Sequence, residues 1–216
     1  MKSAIFDLDG VIVDTAKFHF LSWKKIAQNF DYELNEIQNE KLKGISRINS
    51  LKFLLKWSNK DISKIEFDNI LDYKNKLYLN YIKNLTYKDA LPGVSKILNY
   101  FKTKGIKIGL GSASKNSKIV LNKLSLINYF DVIIDGNDVI KSKPNPEVFI
   151  KVAKALKVPH IECIVFEDSL AGVIAAKSAK MEVIGICQSK QELKKTLFNI
   201  NGFLSVEPDK LIKYFL

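Results

Sequence analysis

Strand-like and helical segments alternate from Leu91 onward. The strand-like segments are short apolar runs, whereas the helical segments carry apolar residues three or four positions apart. Strands that alternate with helices form a parallel sheet with right-handed crossovers and helices on both faces. The sequence therefore predicts an α/β fold with a doubly wound parallel sheet. The predicted strands cover 106–110, 131–134, 164–166 and 183–186, and the predicted helices cover 94–104, 116–124, 147–156, 170–179, 191–198 and 208–214.

The stretch from Asp14 to about residue 87 has a different pattern, because apolar residues recur at helical spacing and no strand pattern interrupts them. Helices are predicted after Asp14, over 35–42, over 48–56 and over 63–84. In the last of these, the predicted buried stripe is Ile65, Ile70, Leu77, Tyr81 and Ile82. The sequence thus predicts an all-helical cap domain of residues 15–87, inserted after the first strand. The core domain would consist of residues 1–14 and 88–216.

The first predicted strand is the apolar run around Ile5, and two carboxylates, Asp7 and Asp9, follow where it ends. Side chains alternate along extended chain, so Asp7 and Asp9 can point the same way while Leu8 turns inward. Two like charges this close repel each other unless a cation or a shared proton lies between them. A polar loop after a strand is the alternative explanation for this pair.

Further polar residues follow the other predicted strands, and ligands of open parallel sheets bind beyond the carboxyl ends of the strands. Each group alone has an ordinary structural explanation: a helix cap, a solvated lysine or an acidic helix start. Together, carboxylates, an ammonium and hydroxyl groups on one edge favour a divalent cation beside a phosphate. These groups are Ser112, Ala113, Ser114, Lys115 and Asn116; Lys143; and Glu167 and Asp168.

The chemistry predicted for this edge is phosphoryl transfer. Mg²⁺ binds oxygen ligands and would screen Asp7 from an anionic phosphoryl group. A carboxylate nucleophile needs no base, so Asp7 can form an aspartyl-phosphate. Asp9 is placed to give a proton to the leaving oxygen and take one back. Lys143 and Ser112 would hold the phosphoryl oxygens as charge develops.

Composition limits the other classes of function. Apolar residues make up 47% of the 216, which supports a packed core, and no apolar run approaches the roughly 20 residues of a membrane span. The N-terminus has no signal-peptide pattern, and Cys163 and Cys187 lie in apolar runs, so a cytoplasmic protein is expected. The net charge of +11 suggests nucleic-acid binding as an alternative, testable as salt-sensitive duplex binding. However, the lysines are spread over the chain, so no nucleic-acid partner is predicted.

The chain resembles the haloacid dehalogenase-like superfamily over nearly its whole length. This resemblance implies a Rossmann-like core, with Asp7 as nucleophile and Asp9 as general acid and base. It also implies one Mg²⁺ per subunit, held by the side chains of Asp7, Asp168 and Glu167 and by the backbone carbonyl of Asp9. The motifs that carry the resemblance are Asp7-Leu8-Asp9-Gly10-Val11, Ser112-Ala113-Ser114, Lys143-Pro144 and Glu167-Asp168-Ser169.

Three further segments are informative: Asp14-Thr15-Ala16-Lys17-Phe18-His19, Leu42-Lys43-Gly44-Ile45-Ser46-Arg47 and Ser112-Ala113-Ser114-Lys115-Asn116. Within the superfamily, they are similar to segments of the β-phosphoglucomutases. That similarity implies interconversion of β-D-glucose 1-phosphate and D-glucose 6-phosphate through glucose 1,6-bisphosphate, which also primes the enzyme. A monomer is expected, and a Mg²⁺-dependent sugar-phosphate phosphatase is the alternative function.

The similarity also assigns the substrate-binding residues. A mutase must hold a second phosphate and exclude water, and Arg47 is the single arginine of the chain, able to grip a phosphate with two donors. By similarity, Ser114, Lys115 and Asn116 support Arg47 from the core side, beside Ala113. Lys43 and Gly44 would line the sugar pocket. His19 and Thr15 belong at the hinge side of the cap, near Asp9.

Overall fold

A computed structural model describes residues 2–187 and 193–215. Its six strands form one sheet in the order β3-β2-β1-β4-β5-β6, with every neighbouring pair parallel. The predicted α/β class with a doubly wound parallel sheet is confirmed. The strands are β1 (Ser3–Phe6), β2 (Lys107–Gly111), β3 (Val132–Ile134), β4 (Cys163–Glu167), β5 (Glu182–Ile186) and β6 (Phe198–Ile200).

Helices cover both faces of this sheet and also fill the segment between β1 and β2. Within the described residues, none of them is both long enough and apolar enough to cross a bilayer. The helices are α1 (Ala16–Gln28), α2 (Glu36–Glu40), α3 (Arg47–Ser58), α4 (Lys64–Tyr81), α5 (Val94–Thr103), α6 (Ser117–Lys123), α7 (Glu147–Leu156), α8 (Leu170–Ser178) and α9 (Pro208–Ile212).

The alternation of side chains along β1 explains the two cores of the sheet. Ala4 and Phe6 pack on one face with α5, and Phe6 stacks on Phe166 with ring centroids 4.7 Å apart. Ile5 points to the opposite face and packs with residues of α7 and α8. All three side chains are fully buried, as expected for a strand between two helical layers.

The helices α1, α3 and α4 have a hydrophobic core of their own. Trp23 and Ile26 of α1 pack there with Leu51 and Leu54 of α3, and Leu71 of α4 lies against them. This core is consistent with the predicted cap, whose boundaries at residues 15 and 87 stay a prediction. The stripe predicted for α4 is partly wrong, because Ile65 is 76% and Tyr81 is 36% exposed. The buried positions within this helix are Lys74 and Tyr78, and the predicted Ile82 is buried just beyond its end.

The helix predicted over 191–198 is wrong for the described part of that segment. Residues 194–197 form turns and bends, and Phe198 begins the edge strand β6. Ile184 pairs with Phe198 and Ile186 pairs with Ile200. The pairing with β5 is a non-local contact, and it overrides the local helical pattern. Residues 191 and 192 lie outside the described residues.

Candidate active site

The carboxyl ends of three adjacent strands bring the predicted site residues to one edge. Phe6 of β1 pairs with Leu110 of β2 and with Phe166 of β4, so these strands end level with one another. Asp7 continues this pairing, because its backbone N–H donates to the carbonyl of Phe166 at 3.0 Å. Ser112 and the Glu167-Asp168 pair therefore emerge beside Asp7, as the strand pattern predicts.

A cavity of about 840 Å³ opens at this edge and is lined both by residues that follow the strands and by residues of helices α1 to α4. Its size falls in the range of small-molecule sites. All but three of the predicted site residues line it; Thr15, Lys143 and Glu167 are instead fully buried behind its surface. The predicted residues on the cavity wall are Asp7, Asp9, His19, Lys43, Gly44, Arg47, Ser112, Ala113, Ser114, Lys115, Asn116 and Asp168.

Lys143 is a buried cation held between two carboxylates. Its Nζ donates to Asp7 Oδ1 at 2.5 Å and to Glu167 Oε1 at 2.6 Å. Burial alone would lower the pKa of Lys143, but the charges of Asp7 and Glu167 outweigh burial and raise that pKa above its usual value. Burial, opposed by the charge of Lys143 and reinforced by the charge of Glu167, raises the pKa of Asp7 to about 6. Lys143 is thus fixed in its charged form against the predicted nucleophile.

The acidic cluster fits a magnesium ion. Carboxylate oxygens of Asp7, Glu167 and Asp168 lie within 4.8 Å of one another, which gives an all-oxygen donor set. Burial and the charges of Glu167 and Asp7 raise the pKa of Asp168 well above its usual value, so a cation there would relieve real repulsion. Gly10 adopts φ +81°, and a Cβ at this position would collide with Asp168 Oδ2. The glycine therefore lets Asp168 approach the loop after β1.

Glu167 has a second role besides its place in this cluster. Its Oε1 accepts from Lys143, and its Oε2 accepts from the backbone N–H and the hydroxyl of Ser169, at 2.8 and 2.9 Å. Ser169 is the N-cap of α8, where its hydroxyl accepts from the N–H of Gly172. Glu167 consequently connects the buried lysine to the start of α8.

Asp9 has the environment of an acid that can exchange protons near neutral pH. Burial and the charge of Asp7 raise the pKa of Asp9 to about 7. The hydroxyl of Thr15 donates to Asp9 Oδ1, and His19 Nε2 lies 3.8 Å from Asp9 Oδ2. Thr15 occupies the N-cap position of α1, but its side chain does not cap that helix because it is directed to Asp9. Thr15, predicted to bind substrate, is thereby placed behind the cavity as a partner of Asp9.

Lys74 is a site residue that sequence reasoning missed. It is 2% exposed, it lines the cavity, and its Nζ lies 2.6 Å from His19 Nδ1. Burial and the charge of Arg47 lower the pKa of Lys74 to about 7, while burial, Lys74 and Arg47 lower the pKa of His19 well below its usual value. His19 therefore contacts Lys74 through Nδ1 and faces Asp9 with its other ring nitrogen, Nε2. Tracing the helical stripe backwards from Tyr78 would have placed Lys74 on the buried face.

Arg47 and Asn116 meet at a residue that was also missed, Asn75 of α4. Arg47 Nη2 and Asn116 Nδ2 both donate to Asn75 Oδ1, each at 2.9 Å. Arg47 Nη1 also lies 3.4 Å from the carbonyl of Leu71. The turn before α6 is ordered by its own hydroxyls, because Ser114 Oγ accepts from the N–H of Asn116 at 3.2 Å. Arg47 and Asn116 are therefore linked through Asn75, and the role predicted for this turn in supporting Arg47 stays a prediction.

Two predicted residues of the sugar pocket, Lys43 and Gly44, lie on the cavity wall. Lys43 pairs with Glu40 at 2.7 Å. Gly44 has φ +72°, and a Cβ there would collide with the hydroxyl of Ser169, so this glycine permits close approach of the helical segment to the sheet. Asn49 of α3 donates to Ser142 Oγ at 3.1 Å, a second contact across the cavity.

Comparisons with known proteins agree with this geometry. Residues 4–186 match the family described as haloacid dehalogenase-like hydrolase. The chain is 41% identical over 195 residues to a β-phosphoglucomutase of Bacillus subtilis (strain 168), an alignment that covers 89% of this chain and 86% of that protein. It is 29% identical over 218 residues to a phosphorylated carbohydrates phosphatase of Thermotoga maritima, covering 98% and 97%. The crystal structure of a β-phosphoglucomutase from Clostridium difficile matches with a TM-score of 0.94 at 38% identity, covering 100% of this chain and 97% of that chain.

Proposed function

The chain belongs to the haloacid dehalogenase-like hydrolase family, and we propose that it is an enzyme that interconverts β-D-glucose 1-phosphate and D-glucose 6-phosphate. One observation carries the proposal. A single cavity is lined both by the Asp7 and Asp9 carboxyl groups and by the linked pair Arg47 and Asn116. The first pair suits transfer of a phosphoryl group, and the second pair suits the grip on another phosphate. A substrate with two phosphate positions would use both.

The proposed reaction runs through a phosphorylated Asp7. Asp9 takes the proton of the sugar 6-hydroxyl, and that oxygen attacks the phosphorus, so a new P–O bond forms as the bond to Asp7 breaks. The product is glucose 1,6-bisphosphate, which reorients in the cavity. Asp7 then attacks the phosphorus on O1, and Asp9 returns the proton to O1 as glucose 6-phosphate forms. Free glucose 1,6-bisphosphate would prime the unphosphorylated enzyme by the same step.

The other residues hold charge and geometry during this transfer. Lys143, fixed 2.5 Å from Asp7 Oδ1, and the hydroxyl of Ser112 would donate to the phosphoryl oxygens. Asp7 and Asp168, with Glu167 and the backbone carbonyl of Asp9, would hold the Mg²⁺. When bound, Mg²⁺ supplies charge screening between the carboxylate nucleophile and the phosphoryl oxygens.

The second phosphate distinguishes a mutase from a phosphatase. Arg47 would bind the phosphate that is not being transferred, supported by Ser114, Lys115 and Asn116, while Lys43 contacts the sugar beside Gly44. With the far end of the substrate held, the sugar hydroxyl rather than water occupies the position that attacks the phosphorylated Asp7.

Product analysis tests the proposal. The protein is incubated with β-glucose 1-phosphate, a trace of glucose 1,6-bisphosphate and Mg²⁺, and the products are followed by ³¹P NMR. We expect glucose 6-phosphate to accumulate. Accumulation of inorganic phosphate and glucose would overturn the proposal in favour of a phosphatase, the activity for which the Thermotoga maritima relative is named.

The proposal also covers the oligomeric state and the cellular location of the enzyme. A monomer is expected, because one chain supplies every residue assigned above, and light scattering after gel filtration tests it. A cytoplasmic location is expected from the two free, buried cysteines, which suit a reducing compartment.

A further inference from the structure

Asn75 occupies the junction between the two halves of the site that holds the second phosphate. Arg47 comes from the first position of α3, and Asn116 comes from the turn between β2 and α6. Their side-chain nitrogens converge on one acceptor, Asn75 Oδ1, at 2.9 Å each. Asn75 and Leu71, the two residues of α4 that accept from Arg47, are one helical turn apart and therefore share a face of that helix.

The polarity of this chain of hydrogen bonds is fixed by Arg47. A guanidinium group has only donors, so Asn75 must present its amide oxygen to Arg47. That oxygen also receives Asn116, which must therefore turn its NH₂ group, and not its oxygen, toward the junction. Two of the five guanidinium donors are used by α4, and three remain for an anion. The arrangement brings N–H groups of Arg47 and Asn116 together around one shared acceptor oxygen.

We propose that Asn75 is a positioning residue that joins Arg47 to Asn116 and so fixes the spacing of the second-phosphate site when the helical segment meets the sheet. The inference rests on the proposed function, since it concerns the phosphate that is not transferred. Asn75 acts through Arg47 and Asn116. Loss of the Asn75 side chain should weaken the binding of substrates that carry the phosphate held by Arg47. It should not affect substrates that carry only the transferred phosphate.

The experiment compares two reactions in the same variants. Mutase turnover of β-glucose 1-phosphate needs both phosphate positions, whereas hydrolysis of an aryl monophosphate needs only the Asp7 end. Asn75→Ala is expected to raise the KM of the mutase reaction about tenfold, the loss expected for one hydrogen bond to a charged group. Aryl phosphate hydrolysis should change by less than about twofold. Asn75→Ser, whose hydroxyl is too short to span both donors, should show the same selective loss.

A mutant cycle separates positioning from general stabilisation. If Asn75 acts through Arg47, then Asn75→Ala should raise the KM of the mutase reaction much less in the Arg47→Ala background than in the wild-type protein. Asn80→Ala is the matched control, because Asn80 is an exposed residue of the same helix. It should leave both reactions unchanged. Asn49→Ala removes the other contact across the cavity without touching Arg47, and it should not reproduce the selective loss.

Equal losses in both reactions for Asn75→Ala and Asn75→Ser would overturn the proposal. So would independent effects of Asn75→Ala and Arg47→Ala, in which the double variant loses the product of the two single losses. Binding of glucose 1,6-bisphosphate, measured by calorimetry in an Asp7→Asn background, keeps this test separate from the proposed function. If the wild-type protein released inorganic phosphate instead of isomerising the sugar, the proposed function would fail. The bisphosphate affinities would still show whether Asn75 positions Arg47: an unchanged affinity in Asn75→Ala would refute it.

Discussion

Replacing Lys143 with methionine removes a buried cation from between two buried carboxylates. The side chain of Lys143 is 0% exposed and lies 2.5 Å from Asp7 and 2.6 Å from Glu167, which are themselves 6% and 0% exposed. Methionine has a similar length and no charge, so packing against Phe149, whose ring centroid lies 4.7 Å from the lysine nitrogen, is largely retained. The variant therefore reports on the charge of Lys143 more than on its volume.

The expected loss of stability in Lys143→Met follows from the burial of Lys143, Asp7 and Glu167. Removing one partner of a buried ion pair costs about 3 to 5 kcal/mol, because the other charge is left without compensation. For a chain of this length, each kcal/mol lowers the melting temperature by about 2 to 4 °C, so a decrease of about 10 °C is expected. The pKa of Asp7 is already raised to about 6 with Lys143 present, and it rises further without it. The loss of stability is therefore greatest above this pKa and becomes smaller as the pH falls through it, because Asp7 is then protonated.

Urea and thermal unfolding of both proteins at about pH 5 and about pH 8, without metal, measure this effect. Lys64→Met is the matched control, since Lys64 is 81% exposed and pairs with Asp68 at 2.7 Å. An exposed pair of this kind contributes less than about 1 kcal/mol. The reasoning is refuted if Lys143→Met is no less stable than Lys64→Met at pH 8, or if its deficit grows as the pH is lowered.

Three further predictions concern the acidic edge. Asp7→Asn should abolish mutase turnover, because the amide is not an anionic nucleophile. A wild-type rate for this variant in a coupled assay would contradict that role. Gly10→Ala should lower Mg²⁺ affinity by about 10- to 100-fold, as expected when a neighbour displaces a metal ligand, because the new Cβ collides with Asp168. Calorimetry measures it, and an unchanged affinity would argue against a site at Asp168. Mg²⁺ affinity of the wild-type protein should rise between about pH 5 and about pH 8, since the raised pKa values of Asp7 and Asp168 make protons compete with the metal. A constant affinity over that range would contradict the assignment.

The side chains that meet at the carboxyl ends of the strands could be predicted from sequence, because their convergence depends on a general property of parallel strands. Parallel strands end at the same edge of the sheet whichever order they pair in, so the residues that follow Phe6, Leu110 and Phe166 converge there. Ser112 and Asp7 are close for that reason. The order in which the strands pair was not needed to place these side chains, only the direction in which each strand runs.

The contacts made by α4 could not be predicted in the same way. Local spacing places Ile65 in the buried stripe, but it is 76% exposed, while Lys74 is 2% exposed. A buried lysine contradicts any pattern based on hydrophobicity. Here its Nζ lies 2.6 Å from His19 Nδ1, and two aromatic rings lie nearby, each with its centroid 5.1 Å away. Asn75 was missed for a related reason, since its partners lie in other elements. The edge strand that begins at Phe198 depends likewise on a partner strand, β5, which local sequence does not reveal.

The source of the oxygen in the product phosphate tests the central claim, which is transfer between Asp7 and sugar hydroxyls without water. Turnover of β-glucose 1-phosphate is run in ¹⁸O-labelled water, and the phosphates are followed by ³¹P NMR, where each ¹⁸O shifts the signal. Glucose 6-phosphate should form with no ¹⁸O in its phosphate and with no labelled inorganic phosphate. Labelled inorganic phosphate released in step with each turnover would contradict the account.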